Sequence, residues 1–220
     1  MKQSRFQVYQ GLSTTDLERM NAYFPTNLLS MAEIKEYKNN EYITQATKSL
    51  EQLFFIIKGK AKIYVTHENG KKILLQFLTT GDLIGELTVV GAESTPKDVV
   101  AIGNTICLAV PMKIAQKEEG IFLKKIARYI GEKLLFRAEH FSRNQSYELK
   151  YRLAEIILQV EIDGIYHEKH IEMAEYLGVS YRHYTHTLKK LTEEGYLRKQ
   201  HREYFVNRPQ LKKLVSCHAS

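Results

Sequence analysis

The chain is poor in cysteine and has no long apolar run. Its 220 residues include two cysteines, Cys107 and Cys217, too few for a disulfide framework or for a four-thiolate iron–sulfur cluster within one chain. No stretch approaches the roughly 20 apolar residues of a membrane-spanning helix. No apolar segment follows the first basic residues, as a secretory signal would require. These absences argue against disulfide-rich secreted proteins and membrane proteins, and we expect a cytoplasmic protein.

The positive charge of the chain is concentrated near its C-terminal end. Residues 178–220 carry 9 Lys and Arg against 3 Asp and Glu, whereas residues 1–111 carry 12 against 11. A solvated face is the ordinary explanation of a charge cluster, but a surface that binds phosphates also requires one.

A length of 220 residues favours two domains, or one domain with an added module.

The first half of the sequence changes from helical to strand periodicity. Ser13 to Asp16 offer helix caps ahead of apolar residues at helical spacing, and Pro25 interrupts or ends that helix. From about Ile34 to Val110, short apolar runs alternate with turn residues. We expect turns at Lys58-Gly59, at Glu68-Asn69-Gly70 and at Thr80-Gly81-Asp82. This part is predicted to be an antiparallel sandwich or barrel.

A long helix is predicted after Pro111. Apolar residues recur at helical spacing at Phe122, Ile126, Ile130, Leu134 and Phe141. This seam could pair with a second copy of the chain, which we favour, or pack on its own β domain. Residues 144–146 are predicted to be a hinge. The predicted domains are therefore a β domain at 1–112, a central helix and hinge at 113–146, and a third domain at 147–220.

The third domain contains a helix-turn-helix pattern between Ile171 and Gly195. A short helix around Ala174 is followed by Gly178, where a tight turn needs positive φ. Ser180 can cap a second helix that Gly195 ends. Tyr184, Leu188 and Leu191 are expected to point inward. Beyond this helix, apolar segments flank residues 200–203, which predicts a hairpin and thus a winged helix.

The outer face of the second helix is polar to basic. Its early residues are those that reach base edges when such a helix lies in the major groove, and its later lysines suit phosphates. The predicted DNA-binding residues are Ser180, Tyr181, Arg182, Thr185, His186, Lys189, Lys190 and Arg202.

Over nearly its whole length the chain resembles the bacterial cyclic-AMP receptor protein and fumarate–nitrate regulator family. The resemblance is carried by Gly59, the run Gly81 to Leu87, the long central helix, Tyr151 to Ala154, and the segment Met173 to Leu191. It implies an α+β protein with an N-terminal cyclic-nucleotide-binding-type β-roll (jelly roll), a dimerisation helix and a C-terminal winged helix. It further implies a homodimer on an inverted-repeat operator in double-stranded DNA, with RNA polymerase as a further partner.

The same resemblance places a possible effector pocket at Gly85, Glu86, Leu87, Lys97 and Asp98. Glu86 could bind a ribose hydroxyl. An Arg-Ser or Arg-Thr pair neutralises the cyclic phosphate in relatives, but Lys97-Asp98 aligns there. Lysine lacks the bidentate fork of arginine, and Asp98 would repel the phosphate. The central helix also has no Ser or Thr from residue 113 to 141. We therefore expect a regulator that cyclic AMP does not control, with an unknown small effector or none.

Several alternatives remain open at this point. One is a cyclic-nucleotide-responsive regulator, and another is a β-roll ligand-binding module whose helical tail binds protein. A metal-dependent β-roll enzyme would need several histidines in the barrel, but His67 is the only histidine before residue 140. His167 and His170 are spaced as metal ligands can be, although surface positions are the simpler interpretation. No enzyme activity, metal or cofactor is predicted.

Overall fold

The computed structural model describes residues 12–216, and the chain divides into two compact units. The first takes in the chain up to Ile63 together with Phe77–Leu134, and the second takes in Tyr64–Gln76 together with the chain from Leu135 onward. Cys217 lies outside the described residues. Among residues 12–216, no helix has both the length and the apolar content needed to span a membrane.

The first unit begins with two helices and continues as an antiparallel sheet. A capping box at Ser13 and Asp16 starts the first helix, and Pro25 lies between the first and second helices, as predicted. From Thr14 to Ser146 the elements in chain order are α1 Thr14–Tyr23, α2 Thr26–Met31, β1 Glu33–Tyr37, β2 Tyr42–Thr44, β3 Gln52–Thr66, β4 Lys72–Thr79, β5 Leu83–Ile84, α3 Glu86–Val89, β6 Asp98–Pro111, α4 Met112–Ala115 and α5 Ile121–Ser146. The parts of β3, β4 and α5 within residues 64–76 and 135–146 belong to the second unit.

The sheet is built around two long strands, β3 and β6. Its strand order is β1-β6-β3-β4, with β2 also paired to β6 and β5 to β3. β1 runs antiparallel to β6, with Glu33 opposite Ala109 and Tyr37 opposite Thr105. Helices and an antiparallel sheet in separate stretches of the chain confirm the predicted α+β class.

The predicted turn at Lys58-Gly59 is wrong, because β3 continues through both residues. Gly59 has φ +111°, and a Cβ there would lie 2.7 Å from the carbonyl oxygen of Asn104 and from Cα of Thr105. A glycine at a close approach of two backbones weakens a strand without ending it. The turns predicted at Glu68 to Gly70 and at Thr80 to Asp82 are confirmed.

The core of the first unit lies between the sheet, α1, α2 and the first half of α5. Cys107 on β6 is fully buried, as the apolar run around it predicts, and burial raises the pKa of its thiol to about 12. The central residues of the core are Met20, Phe24, Leu28, Leu53, Phe55, Ile57, Leu83, Leu108, Val110, Met112, Phe122 and Ile126.

The apolar seam of α5 divides into two parts. Phe122 and Ile126 are buried in the core of the first unit, whereas Leu134 and Phe141 are each 67% exposed. Residues 144–146, which are predicted to be a hinge, form the last turn of α5. The helix is instead interrupted at Tyr147 and Glu148.

The second unit contains four further helices and a three-stranded sheet of order β7-β9-β8. Its core consists of apolar side chains from every helix and from the sheet, including the fully buried Leu153, Tyr166, Tyr184 and Leu211. The elements are α6 Leu149–Val160, β7 Ile165–Tyr166, α7 His170–Tyr176, α8 Tyr181–Glu193, β8 Leu197–Gln200, β9 Glu203–Val206 and α9 Arg208–Ser216.

Candidate nucleic-acid interface and effector pocket

Helices α7 and α8 form the predicted helix-turn-helix. Gly178 has φ +66° in the turn between them, a conformation that costs glycine little. The backbone N–H of His183 donates to Ser180 Oγ at 3.2 Å, so Ser180 caps α8 as its position predicts. Tyr184, Leu188 and Leu191 are buried. One face of α8 is therefore fixed to the unit, and the opposite face is free to make contacts.

A buried pair of tyrosines anchors α8 to the sheet. The hydroxyl oxygens of Tyr166 and Tyr184 lie 2.7 Å apart, and both rings are fully buried. Burial raises the pKa of each hydroxyl, so both stay protonated at neutral pH. Sequence periodicity placed Tyr184 inward but could not find its partner, because β7 is only two residues long.

The exposed face of α8 carries the predicted DNA-binding side chains. Tyr181 is 54% exposed, and Arg182 and His186 are exposed beside it. Thr185 is half-buried, and its hydroxyl donates to the carbonyls of Tyr181 (3.0 Å) and Arg182 (3.1 Å). The proton of that hydroxyl is therefore engaged with its own helix, and the methyl group of Thr185 remains available for contact.

Basic side chains continue from α8 to the following hairpin. Lys189 and Lys190 are exposed on the later turns of α8. Lys189 lies 3.5 Å from Glu193 in a largely exposed ion pair, which stabilises little in water. β8 and β9 pair antiparallel with Gln200 opposite Glu203, and the exposed Arg202 lies in the two-residue turn between them. The predicted hairpin is confirmed, and its tip is basic.

Arg152 on α6 is a structural residue of this unit that side-chain chemistry alone did not predict. Its guanidinium donates to the carbonyls of Tyr147 (2.9 Å) and Leu177 (2.8 Å) and to Asn144 Oδ1 (2.8 Å). Desolvation lowers its pKa. Arg152 thus joins the end of α5, the start of α6 and the turn after α7 through one buried side chain.

The two histidines at metal-ligand spacing differ in exposure. His167 is exposed, and His170 is half-buried against the rings of Tyr184 (5.4 Å) and Tyr204 (5.9 Å). Across the described part of the chain, no three His, Cys, Asp or Glu side chains are grouped so that they could hold a metal ion.

Three residues of the candidate effector pocket, Gly85, Glu86 and Leu87, lie at the junction of β5 and α3. Gly85 has φ +95° as the N-cap of α3, and a Cβ there would lie 2.7 Å from Leu50 Cδ2. Glu86 follows and is only 5% exposed, whereas Leu87 is half-buried. The structure therefore buries Glu86 in the first unit and leaves Gly85 and Leu87 half-buried.

Lys97 and Asp98 make contacts of their own within the first unit. The Lys97 ammonium pairs with Glu93, four residues earlier. The backbone N–H of Ala46 donates to Asp98 Oδ1 at 2.8 Å, and the hydroxyl of Thr44 donates to the carbonyl of Lys97 at 2.7 Å. Both charged side chains are therefore already engaged inside the protein.

Lys133 on α5 is a partner of Glu86 that sequence analysis missed. Its Nζ donates to Glu86 Oε1 at 2.7 Å, and the two side chains are 8% and 6% exposed. The sequence does indicate that Lys133 is buried, because it follows Ile126 by seven residues and therefore lies on the same face of α5. A lysine at a core position of an amphipathic helix calls for a buried acidic partner.

Comparison with known proteins agrees with this architecture. The cyclic nucleotide-binding domain family matches residues 34–117. Regulatory protein YeiL of Escherichia coli O157:H7 is 34% identical over 196 residues, which cover 87% of this chain and 90% of YeiL. The chain belongs to the CRP/FNR family of transcriptional regulators.

Solved structures of other CRP/FNR proteins share its fold. A CRP-family transcriptional regulator from Thermus thermophilus superposes with a TM-score of 0.65 at 16% identity, covering 83% of this chain and 96% of that one. A CRP/FNR-family regulator from the same organism gives 0.64 at 19% identity, covering 84% and 98%. The first unit of this CRP/FNR protein is accordingly a cyclic-nucleotide-binding-type β-roll, and its second unit holds the C-terminal helix-turn-helix.

Proposed function

We propose that this CRP/FNR regulator is a homodimer that binds double-stranded DNA sequence-specifically, with α8 in the major groove. The observation that carries the proposal is the two-sided character of α8. Tyr184, Leu188 and Leu191 fix one face in the core, while the face bearing Arg182 and His186 is exposed and polar to basic. A capped helix presented in this way is the recognition helix of a helix-turn-helix.

The proposed contacts divide into base-reading and phosphate-binding side chains. Arg182 lies in the first turn of α8, where a guanidinium can donate twice to guanine. Tyr181, Thr185 and His186 share that end of the helix. Lys189, Lys190 and the wing-tip Arg202 are assigned to phosphates, which position the protein without reading sequence. The Ser180 hydroxyl serves as the helix cap, and its backbone lies where a phosphate can approach the helix N-terminus.

The second half of α5 supplies the proposed dimer interface. Leu134, Leu135 and Phe141 are between 67% and 70% exposed, which is unusual for large apolar side chains that follow one another along a helix. A second α5 packed against this surface would bury them. The two helix-turn-helix units of such a dimer would contact half-sites about 34 Å apart on an inverted repeat. The division of the chain into three domains, with boundaries after residues 112 and 146, is part of this proposal.

The proposed regulator is not controlled by cyclic AMP. A cyclic phosphate needs a cation free to bind it, but Lys97 is paired with Glu93. The carboxylate of Asp98 lies next to it in sequence and is held by the backbone of Ala46. A phosphate entering here would meet an engaged ammonium and a like charge.

Selection of bound sequences from random duplex DNA by the full-length protein tests this function. We expect an inverted repeat to be enriched, equally with and without cyclic AMP, and the affinity to fall steeply as salt rises. No binding at low salt would contradict DNA binding and favour a module whose helical tail binds protein. Enrichment only with cyclic AMP would contradict the effector claim alone.

A further inference from the structure

The interior of the first unit contains an ion pair that neither DNA binding nor dimerisation uses. Lys133 of α5 and Glu86 at the start of α3 are both more than nine-tenths buried, with 2.7 Å between Nζ and Oε1. The Lys133 ammonium also lies 5.4 Å from the centre of the Tyr129 ring. The lysine therefore reaches from the central helix into the segment where the family pocket would receive a ligand.

Tyr129, one turn earlier on α5, makes a parallel set of contacts. Its hydroxyl donates to Asp82 Oδ1 at 2.9 Å and accepts from the backbone N–H of Leu83 at 3.0 Å. Burial and the carboxylates of Asp82 and Glu86 raise the pKa of this hydroxyl, so it remains a donor at neutral pH. Two neighbouring side chains of α5 thus satisfy both acidic side chains of the segment from Asp82 to Glu86.

A buried ion pair is a costly way to pack two elements. Both charges lose their hydration when they are buried, and an apolar pair of the same volume is often more stable. What the pair does provide is specificity, because each charge is tolerated only while the other is in place. Lys133 can therefore be accommodated only when α5 lies at the position where its ammonium meets Glu86.

We propose that Lys133 acts as a built-in ligand of the effector pocket. Its ammonium pairs with the Glu86 carboxylate, which a ligand hydroxyl would need as its hydrogen-bond acceptor, and together with Tyr129 it holds α5 against the β-roll. A neutral hydroxyl, such as that of a ribose, would have to displace a buried cation and leave it without a partner. As a statement about regulation this inference rests on the proposed function, but its test requires no DNA.

The test compares thermal unfolding of the full-length protein with three variants. Lys133→Met keeps the volume of the side chain but leaves Glu86 buried without its cation, so we expect Tm to fall by several degrees. The double variant Lys133→Met with Glu86→Gln removes the stranded charge, and most of the loss should be recovered. Lys124→Met, which changes an exposed lysine of the same helix, is the matched control and should leave Tm unchanged.

Two results would overturn the assignment of the ion pair. One is a Lys133→Met protein as stable as the Lys124→Met control. The other is a double variant no more stable than Lys133→Met, because Lys133 would then contribute only packing.

Cyclic AMP, added to the wild-type protein at millimolar concentration, tests whether a ligand can displace Lys133 from Glu86. A ligand that binds the folded state raises Tm, so we expect no shift in the wild-type protein. A rise in wild-type Tm would overturn the proposal. Because all these measurements report on unfolding, a failure of operator binding would contradict the proposed function and leave this result standing.

Discussion

At the scale of the residue, Arg182 allows the sharpest test of α8 as the proposed recognition helix. It follows the Ser180 cap by two residues, and its side chain is exposed on the first turn of α8. Arg182→Ala should cost about 1–3 kcal/mol of binding to the selected operator, because a bidentate contact to one base is lost. Titration of labelled duplexes that differ at single base pairs would show a loss of preference at one position.

The matched control for Arg182→Ala is Arg128→Ala, which removes an exposed arginine of α5. Both variants should unfold at the wild-type denaturant concentration. If Arg182→Ala weakens every duplex equally, the side chain contacts a phosphate. If it destabilises the fold, the orientation of α8 described above is wrong.

Gly59 allows a second test at the residue scale, this time of the sheet. A Cβ at this position would meet the backbone of Asn104 and Thr105 at 2.7 Å, and φ is +111°. We expect Gly59→Ala to lower the free energy of unfolding by about 2–4 kcal/mol, since strained φ and steric overlap add. Urea denaturation measures the change.

Gly70→Ala separates the two contributions to that loss. Gly70 also has positive φ, +77°, but nothing lies within 4 Å of a Cβ there. Its substitution should cost only the backbone strain, about 1 kcal/mol. Equal losses in the two variants would show that the close approach of β3 to residues 104 and 105 has no energetic weight.

Residues whose role depends on their neighbours in sequence could be predicted, and residues whose partners are distant could not. Ser180 and Gly178 are local signals, because a cap and a positive-φ turn are set within a few residues. Lys133 and Glu86 are 47 positions apart. Nothing in either segment alone states that α5 brings an ammonium to that carboxylate.

At the scale of the element, α5 shows the limit of periodicity. Apolar residues recur every three or four positions along the helix. This spacing predicts an apolar face but does not identify what covers that face. In the structure Phe122 and Ile126 are buried in the first unit, while Leu134 and Phe141 are exposed. Packing on the own domain therefore applies to the first half of the helix, and pairing with a second copy stays a prediction for the exposed second half.

The exposed half of α5 gives a prediction about assembly. Phe141→Lys should raise the dimer dissociation constant by about tenfold or more, because a charge would be placed in an interface built from apolar side chains. Sedimentation equilibrium at several protein concentrations measures it. The folded monomer should keep its stability, since Phe141 is 67% exposed already.

Ile121→Lys is the control for this substitution. Ile121 lies at the other end of α5 and is 75% exposed, so a lysine there adds the same charge outside the proposed interface. A dimer equally weakened by both substitutions would point to net charge as the cause. A dimer unaffected by Phe141→Lys would place the interface elsewhere.

At the scale of the whole molecule, the order of helical and strand segments was predictable and the pairing of strands was not. Period-two runs mark strands one by one. The placement of β6 between β1 and β3 joins segments far apart in sequence, so local periodicity could not predict it. The turn predicted at Gly59 is wrong for the same reason, because the backbone that requires a glycine there belongs to the distant strand β6.

The uneven charge of the chain gives a prediction that belongs to the molecule as a whole. The net charge of the chain is +7, and the segment from residue 178 onward contains 9 Lys and Arg against 3 Asp and Glu. Each phosphate contact releases counterions, so the slope of log affinity against log salt counts the cations in contact. Lys190→Ala should lower that slope by about one and weaken all duplexes alike.

The control for Lys190→Ala must remove the same charge away from the proposed interface, and Lys124→Ala does so, because Lys124 is exposed on α5. If the two variants lower the slope equally, the long-range field of the protein attracts DNA and Lys190 makes no contact. If Lys190→Ala alone lowers it, the basic C-terminal segment binds phosphates directly. If Lys190→Ala instead weakens one operator sequence and spares the others, Lys190 reads a base, and the division of α8 into reading and phosphate-binding turns must be redrawn.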